Sequence, residues 1–144
     1  MDTIYAERAD EMLQIHGLSR TPGRIALLKL LAHEDRPVSS DYILKKLAND
    51  LDEATFYRAT KAFEAEGMIV SYDFGHGHAH YELAHNKPHH HHAVCTQCGR
   101  IEDIRAHDAA DLISRALKDS KHFTSFSRHS LEFYGRCTSC AAKK

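Results

Sequence analysis

Four cysteines restrict this chain more than any other feature, because they fall as two CxxC pairs, Cys95-Thr96-Gln97-Cys98 and Cys137-Thr138-Ser139-Cys140. Two thiolates separated by two residues reach one metal through a tight turn, and two such turns complete a tetrahedron. Gly99 relieves the first turn. A zinc ion held by Cys95, Cys98, Cys137 and Cys140 closes a long segment and joins the start of a domain to its end. Four thiolates leave no position for water, so the site reads as structural. The competing readings are a redox dithiol pair and four buried, metal-free thiols.

Histidine is the second anomaly. The chain has 13, and seven of them lie from His78 to His92. The run His89-His90-His91-His92 leads into Ala93-Val94-Cys95, which reads as a strand. Alternate side chains of a strand face opposite ways. His90 and His92 then face one site, and His89 and His91 another. His78, His80, Glu82 and His85 lie just upstream, so imidazole and carboxylate donors suited to zinc, iron, nickel or manganese are concentrated here. His16, His33 and His76 read as ordinary helix-end or turn residues.

The expected fold class is α+β: an N-terminal winged helix-turn-helix over 1–84, a hinge over 85–88, and a small α/β dimerisation and metal-binding domain over 89–144. A first helix spans 3–16 and stops at His16-Gly17. Thr21-Pro22 opens a second, with Pro22 in the first turn, where its missing N–H costs nothing. Ser39 or Ser40 caps a third helix beyond Pro37. Asp52 caps a fourth, from Glu53 to Gly67, which buries Phe56, Ala59, Phe63 and either Tyr57 or Ala62. Met68–Phe74 and His78–Leu83 read as the two strands of a hairpin. The second half has strands near Val94 and Ile101, a helix over 108–117, and one or two strands between Phe123 and Tyr134. It is small for a self-sufficient core, and a metal staple and a partner subunit would both help.

Charge gives no simple support for nucleic-acid binding. Residues 1–84 hold nine Lys/Arg against 14 Asp/Glu, and the remainder ten against six. If the first part binds DNA, its cations must be focused on one face. The fourth helix supplies one: Thr55 and Arg58 lie three residues apart, with Lys61 a turn on. Arg20 and Arg24 are candidates for phosphate contacts. No apolar run is long enough to cross a bilayer, and the acidic N-terminus lacks the apolar stretch of a signal peptide. A cytoplasmic location is expected, without membrane association.

Arg20-Thr21-Pro22-Gly23-Arg24, Ala54-Thr55-Phe56-Tyr57-Arg58, Gly67-Met68-Ile69, Tyr81-Glu82-Leu83, the histidine run feeding Cys95-x-x-Cys98-Gly99, and the segment His129–Cys140 occur in an order and spacing that resembles the ferric uptake regulator family of metal-responsive repressors. The resemblance covers nearly the whole chain. It implies a homodimer that binds an inverted-repeat operator in double-stranded DNA when loaded with metal. It puts the recognition helix at 53–66, with Tyr57 and Arg58 as DNA contacts. It implies one structural Zn2+ per subunit and a regulatory ion on Glu82, His90 and His92 with His85 or His80. Asp103 matches a further ligand position of some relatives. A second non-cysteine site is expected on His89, His91 and His129, with Asp111 as a fourth ligand.

Departures from the family pattern bear on the metal. Phe56 replaces a valine common behind the recognition helix. The histidine that iron sensors carry before the third helix is missing near Pro37, where His78, His80 or Asp73 are substitutes. His91 replaces an aspartate of the iron sensors, His85 stands where zinc sensors have a cysteine, and Ala84 stands where peroxide sensors need an aspartate. Iron is the expected regulatory metal, with Zn2+, and then Mn2+ or Ni2+, as alternatives. The chain has no HExxH motif, no G-x-S-x-G elbow and no phosphate-cradling glycine loop, so an enzyme is not expected. A histidine-rich metal storage or chaperone protein is the alternative from a different class.

Overall fold

Helix capping sets the frame of the first half. Thr21 Oγ1 accepts from the Arg24 amide at 3.3 Å, Ser39 Oγ from Tyr42 at 3.1 Å, and Asp52 Oδ1 from Thr55 at 2.7 Å. Each satisfies an amide that the helix leaves without an internal partner. The hydrogen bond from Thr55 also holds the Asp52 carboxyl below its ordinary pKa. The computed structural model describes residues 7–84, 89–105, 109–127 and 129–143. The chain divides into two compact units, Met1–Lys87 and Pro88–Lys144.

In the first unit, α1 (Ala9–Ile15), α2 (Pro22–His33), β1 (Val38–Ser39), α3 (Ser40–Lys46) and α4 (Glu53–Ala65) precede β2 (Ile69–Asp73) and β3 (Ala79–Leu83). The strands form an antiparallel sheet in the order β1-β3-β2. Helices followed by a hairpin make a winged helix. The residues expected at 3–6 of the first helix lie outside the described ones.

The core explains the spacing. Leu27, Leu28 and Leu31 of α2 and Phe56, Ala59 and Phe63 of α4 are buried with Leu13, Ile43, Met68, Ile69, Tyr81 and Leu83. Phe56, Ala59, Thr60 and Phe63 recur at helical intervals and define the inner face of α4. Thr60 is tolerated there because its hydroxyl donates to the Tyr57 carbonyl at 3.1 Å. Tyr57 is not part of this face: it is 45% exposed, and only the edge of its ring meets Phe56. Gly67, at φ 69°, ends the helix in a conformation that costs glycine little. On β3, Tyr81 and Leu83 enter the core, while His80 and Glu82 alternate to the other face and are buried as well.

The second unit consists of β4 (His91–Cys95), β5 (Ile101–Ile104), α5 (Ala109–Asp119), β6 (Glu132–Gly135) and α6 (Thr138–Ala142). β4 is central, antiparallel to β5 and parallel to β6. The expected strand content of 123–134 reduces to Glu132–Gly135. Phe123 and Phe126 sit in irregular chain with their rings 5.4 Å apart. Two elements lack a sequence signal. β1 has only two residues, and α6 is a short helix on the second CxxC.

Phe63→Ala deletes a fully buried ring from the first unit. A loss of about 3–5 kcal/mol in unfolding free energy is expected from urea titration, and a loss under about 1 kcal/mol would contradict this account of the core.

Candidate metal centres and the exposed face of α4

The parallel register decides the first centre. Cys95 ends β4 opposite Gly135 of β6, so the chain leaving β6 delivers Cys137 and Cys140 beside the Cys95 turn. The Thr96 amide secures this by donating to the Gly135 carbonyl at 2.7 Å. The four sulfurs all lie within 4.8 Å of one another, and Cys98 and Cys137 are 3.7 Å apart. Tetrahedral thiolate ligation with bonds near 2.3 Å separates sulfurs by about 3.8 Å. The cysteines are free thiols rather than disulfides.

Electrostatics fit the same ligand set. The Cys137 amide donates to Cys95 Sγ at 3.4 Å, and with the Cys98 amide it draws the Cys95 thiol down to about 5. The Cys140 amide lowers Cys137. Cys140 is pushed up to about 12, first by its hydrogen bond to Cys137 and then by burial. Backbone amides thus favour thiolates at two positions, while the crowding of four sulfurs holds a proton on a third. A divalent cation resolves that conflict. These four residues would hold structural zinc.

A second donor set grows from the alternation on β4. His92 pairs across the sheet with Asp103 of β5. Its Nε2 stands 3.7 Å from Asp103 Oδ1, beyond hydrogen-bond length and suitable for two donors around one ion. The His90 and His92 rings are 5.0 Å apart and nearly perpendicular. His90, His92 and Asp103 offer ligand atoms within 4.8 Å of one another, and His92 is only 1% exposed. Imidazoles and a carboxylate, with no sulfur, suit a divalent cation of the iron-to-zinc range.

On the opposite face, His89 Nε2 lies 3.2 Å from His91 Nε2, which is 3.4 Å from His129 Nε2. These three form a third set of converging donors. Asp111, expected as their fourth ligand, is not among them. It sits in the first turn of α5, where its carboxylate pairs with Arg115 one turn along at 3.1 Å.

Of the ligands expected from the first unit, Glu82 is buried and accepts from the Tyr72 hydroxyl at 2.8 Å. His80 packs among Phe74, His76 and His78. His85 lies outside the described residues. The grouping around His80 is the feature that sequence reasoning missed, because His76 reads as a solvated turn residue.

The outer face of α4 carries Tyr57, Arg58 and Lys61, all exposed, whereas Thr55 is half-buried. Arg20 is exposed and Nη1 donates to Gln14 at 3.4 Å; Arg24 is half-buried at the start of α2. Glu53 and Glu64 are exposed on the same helix, so its solvent-facing side carries both signs of charge.

The sequence profile of the ferric uptake regulator family matches residues 16–134. The ferric uptake regulation protein of Campylobacter jejuni is 35% identical, covering 98% of this chain and 91% of that protein. The peroxide operon regulator of Bacillus subtilis is 29% identical over 96% and 94%. Among solved structures, the Vibrio cholerae ferric uptake regulator superposes with a TM-score of 0.70 at 26% identity, covering 90% of this chain and 99% of that one.

Removing zinc with a chelator, or replacing Cys137 with Ser, is expected to loosen the second unit, since structural zinc contributes folding free energy. Amide hydrogen exchange in β4 and β6 should accelerate. Unchanged protection in the metal-free protein would refute the staple.

Proposed function

Because the chain belongs to the ferric uptake regulator family, we propose that it acts as a homodimeric repressor that binds an inverted-repeat operator in double-stranded DNA when a regulatory divalent cation is bound. It is a metal-responsive, DNA-binding transcription factor and not an enzyme. The observation that carries the reading is the nitrogen and oxygen donor set of half-buried His90 and Asp103 around buried His92, separate from the four-thiolate staple.

Each residue has a part. Cys95, Cys98, Cys137 and Cys140 hold one structural Zn2+ per subunit. His90, His92 and Asp103 hold the regulatory ion, and Glu82 is the further ligand that the family resemblance implies. The bound cation supplies the positive charge that lets His90, His92 and Asp103 stay together. His89, His91 and His129 form a further site. On α4, Arg58 reads a base edge or holds a phosphate, with Tyr57 and Lys61 beside it. Thr55, Arg20 and Arg24 add backbone contacts that set register. The exposed Phe133 and Tyr134 of β6 support a partner subunit on the second unit. Among the described residues no helix is long and apolar enough to cross a membrane, and the reading puts the protein in the cytoplasm with its operator.

Iron is the proposed regulatory metal. A carboxylate beside two imidazoles raises the oxygen share of the donors, which suits Fe2+ or Mn2+ better than an all-imidazole set does. Zinc is the competitor, since it binds such ligands more tightly than ferrous iron and cellular supply sets part of the selectivity. Peroxide sensing is disfavoured by Ala84.

Operator binding by the full-length protein, titrated anaerobically with buffered Fe2+ and Zn2+, tests the reading. Binding indifferent to both metals would sink it, and response to Zn2+ alone would replace iron. His92→Ala is expected to abolish the metal response while the staple zinc stays bound. Arg58→Ala should weaken operator binding by roughly 1–3 kcal/mol if it reads a base, and uniformly across sequences if it holds a phosphate.

A further inference from the structure

The hairpin of the first unit carries a concentration of imidazoles that the regulatory reading does not use. The segment Gly75-His76-Gly77-His78-Ala79-His80 places histidines at alternate positions. His78 and His80 share one face of the chain entering β3. Gly75 and Gly77 both adopt positive φ, 77° and 82°, and turn the chain so that His76 returns over that face. The resulting ring separations are 5.2 Å for His76–His80, 5.2 Å for His78–His80 and 6.3 Å for His76–His78. Two imidazoles on one ion at a tetrahedral angle have centroids about 5 Å apart, given bonds of about 2.0–2.1 Å. The rings of His89, His91 and His129 stand 4.7 to 5.1 Å apart, a tighter set than the hairpin's, where His78 and His80 are stacked at 27°.

His80 supplies an independent observation. It is 6% exposed, and its Nδ1 is buried without a hydrogen-bond partner. A polar atom taken out of water in this way is costly unless something binds it. Phe74, itself buried, packs against the ring at 5.1 Å and walls one side. Two carboxylates attend the group. Asp41 Oδ2 of α3 is 3.9 Å from His78 Nδ1, longer than a hydrogen bond and close enough to add negative charge beside the ring. Asp73 accepts from the Gly75 amide at 2.9 Å and fixes the turn.

We propose that His76, His78 and His80 form an additional binding site, within the hairpin of the first unit, for a nitrogen-seeking divalent cation such as Zn2+, Co2+ or Ni2+. His80 is the buried anchor, His78 the second ligand, and His76 the partly exposed ligand that swings inward to complete the set. The 6.3 Å separation of His76 from His78 closes by rotation of that outer ring. Three imidazoles with carboxylates only in support favour these late divalent ions over Mg2+ or Ca2+.

The test counts Co2+ bound per chain by equilibrium dialysis of the full-length protein with zinc in its four-cysteine site. His76→Ala/His78→Ala removes two partly exposed turn residues and is expected to lower the total by one ion per chain. An unchanged total overturns the proposal. In unaltered protein titrated with Zn2+, the imidazole 15N resonances of His76, His78 and His80 should move together and saturate. If those of His90 and His92 saturate while His80 stays unmoved, the hairpin is not a site. Neither result depends on operator binding, so failure here is distinguishable from failure of the proposed repressor function.

Discussion

The pairing of β4 with β6, closed by four sulfurs, is the constraint on which the second unit depends. Its buried apolar side chains among the described residues are few, chiefly Val94 and Ile101 with Cys95 and Cys140. A parallel pair also needs a long crossover, here the chain from β5 through α5 to β6. Closing that loop costs entropy that so small a core repays poorly. A cation on Cys95, Cys98, Cys137 and Cys140 would sit at the end of the paired strands and lock the crossover. Backbone amides already favour ionised sulfur at Cys95 and Cys137.

Once β4 is pinned, its pleat does the rest of the sorting. One face presents His90 and His92 to Asp103 across the antiparallel register, and the other presents His91 to His89 and His129. Two donor sets of different composition therefore arise from one strand. Shifting the register by a single residue would exchange the faces and destroy both sets. Burial of His91 and His92 at 5% and 1% exposure makes their ligation energetically consequential, because buried imidazoles require partners.

In the first unit, packing decides which side chains of α4 meet solvent. α4 buries Phe56, Ala59, Thr60 and Phe63 and so commits its other side to solvent, where Tyr57, Arg58 and Lys61 stand. Acidic residues predominate in the unit, yet local charge on the exposed helix face governs contact with a phosphate backbone. Packing rather than net charge creates the surface.

Local chemistry was legible in the residues alone. Thr21, Ser39 and Asp52 announce helix starts, Gly67 a helix end, and the CxxC pairs and alternating histidines the groups that could hold a metal, because each signal acts over one turn or one pleat. What only the structure decided is which partner each side chain meets. Asp111 is drawn to Arg115 rather than to the histidines, and β6 is confined to the four residues that β4 can pair. Tyr57 is left outside because the helical turn that points Phe56 into the core carries its neighbour toward solvent. His76 reads as solvent-exposed until two positive-φ glycines fold it back over His80. The spacing of residues along a chain specifies which face a side chain takes, whereas the identity of what it meets there depends on how distant segments pack.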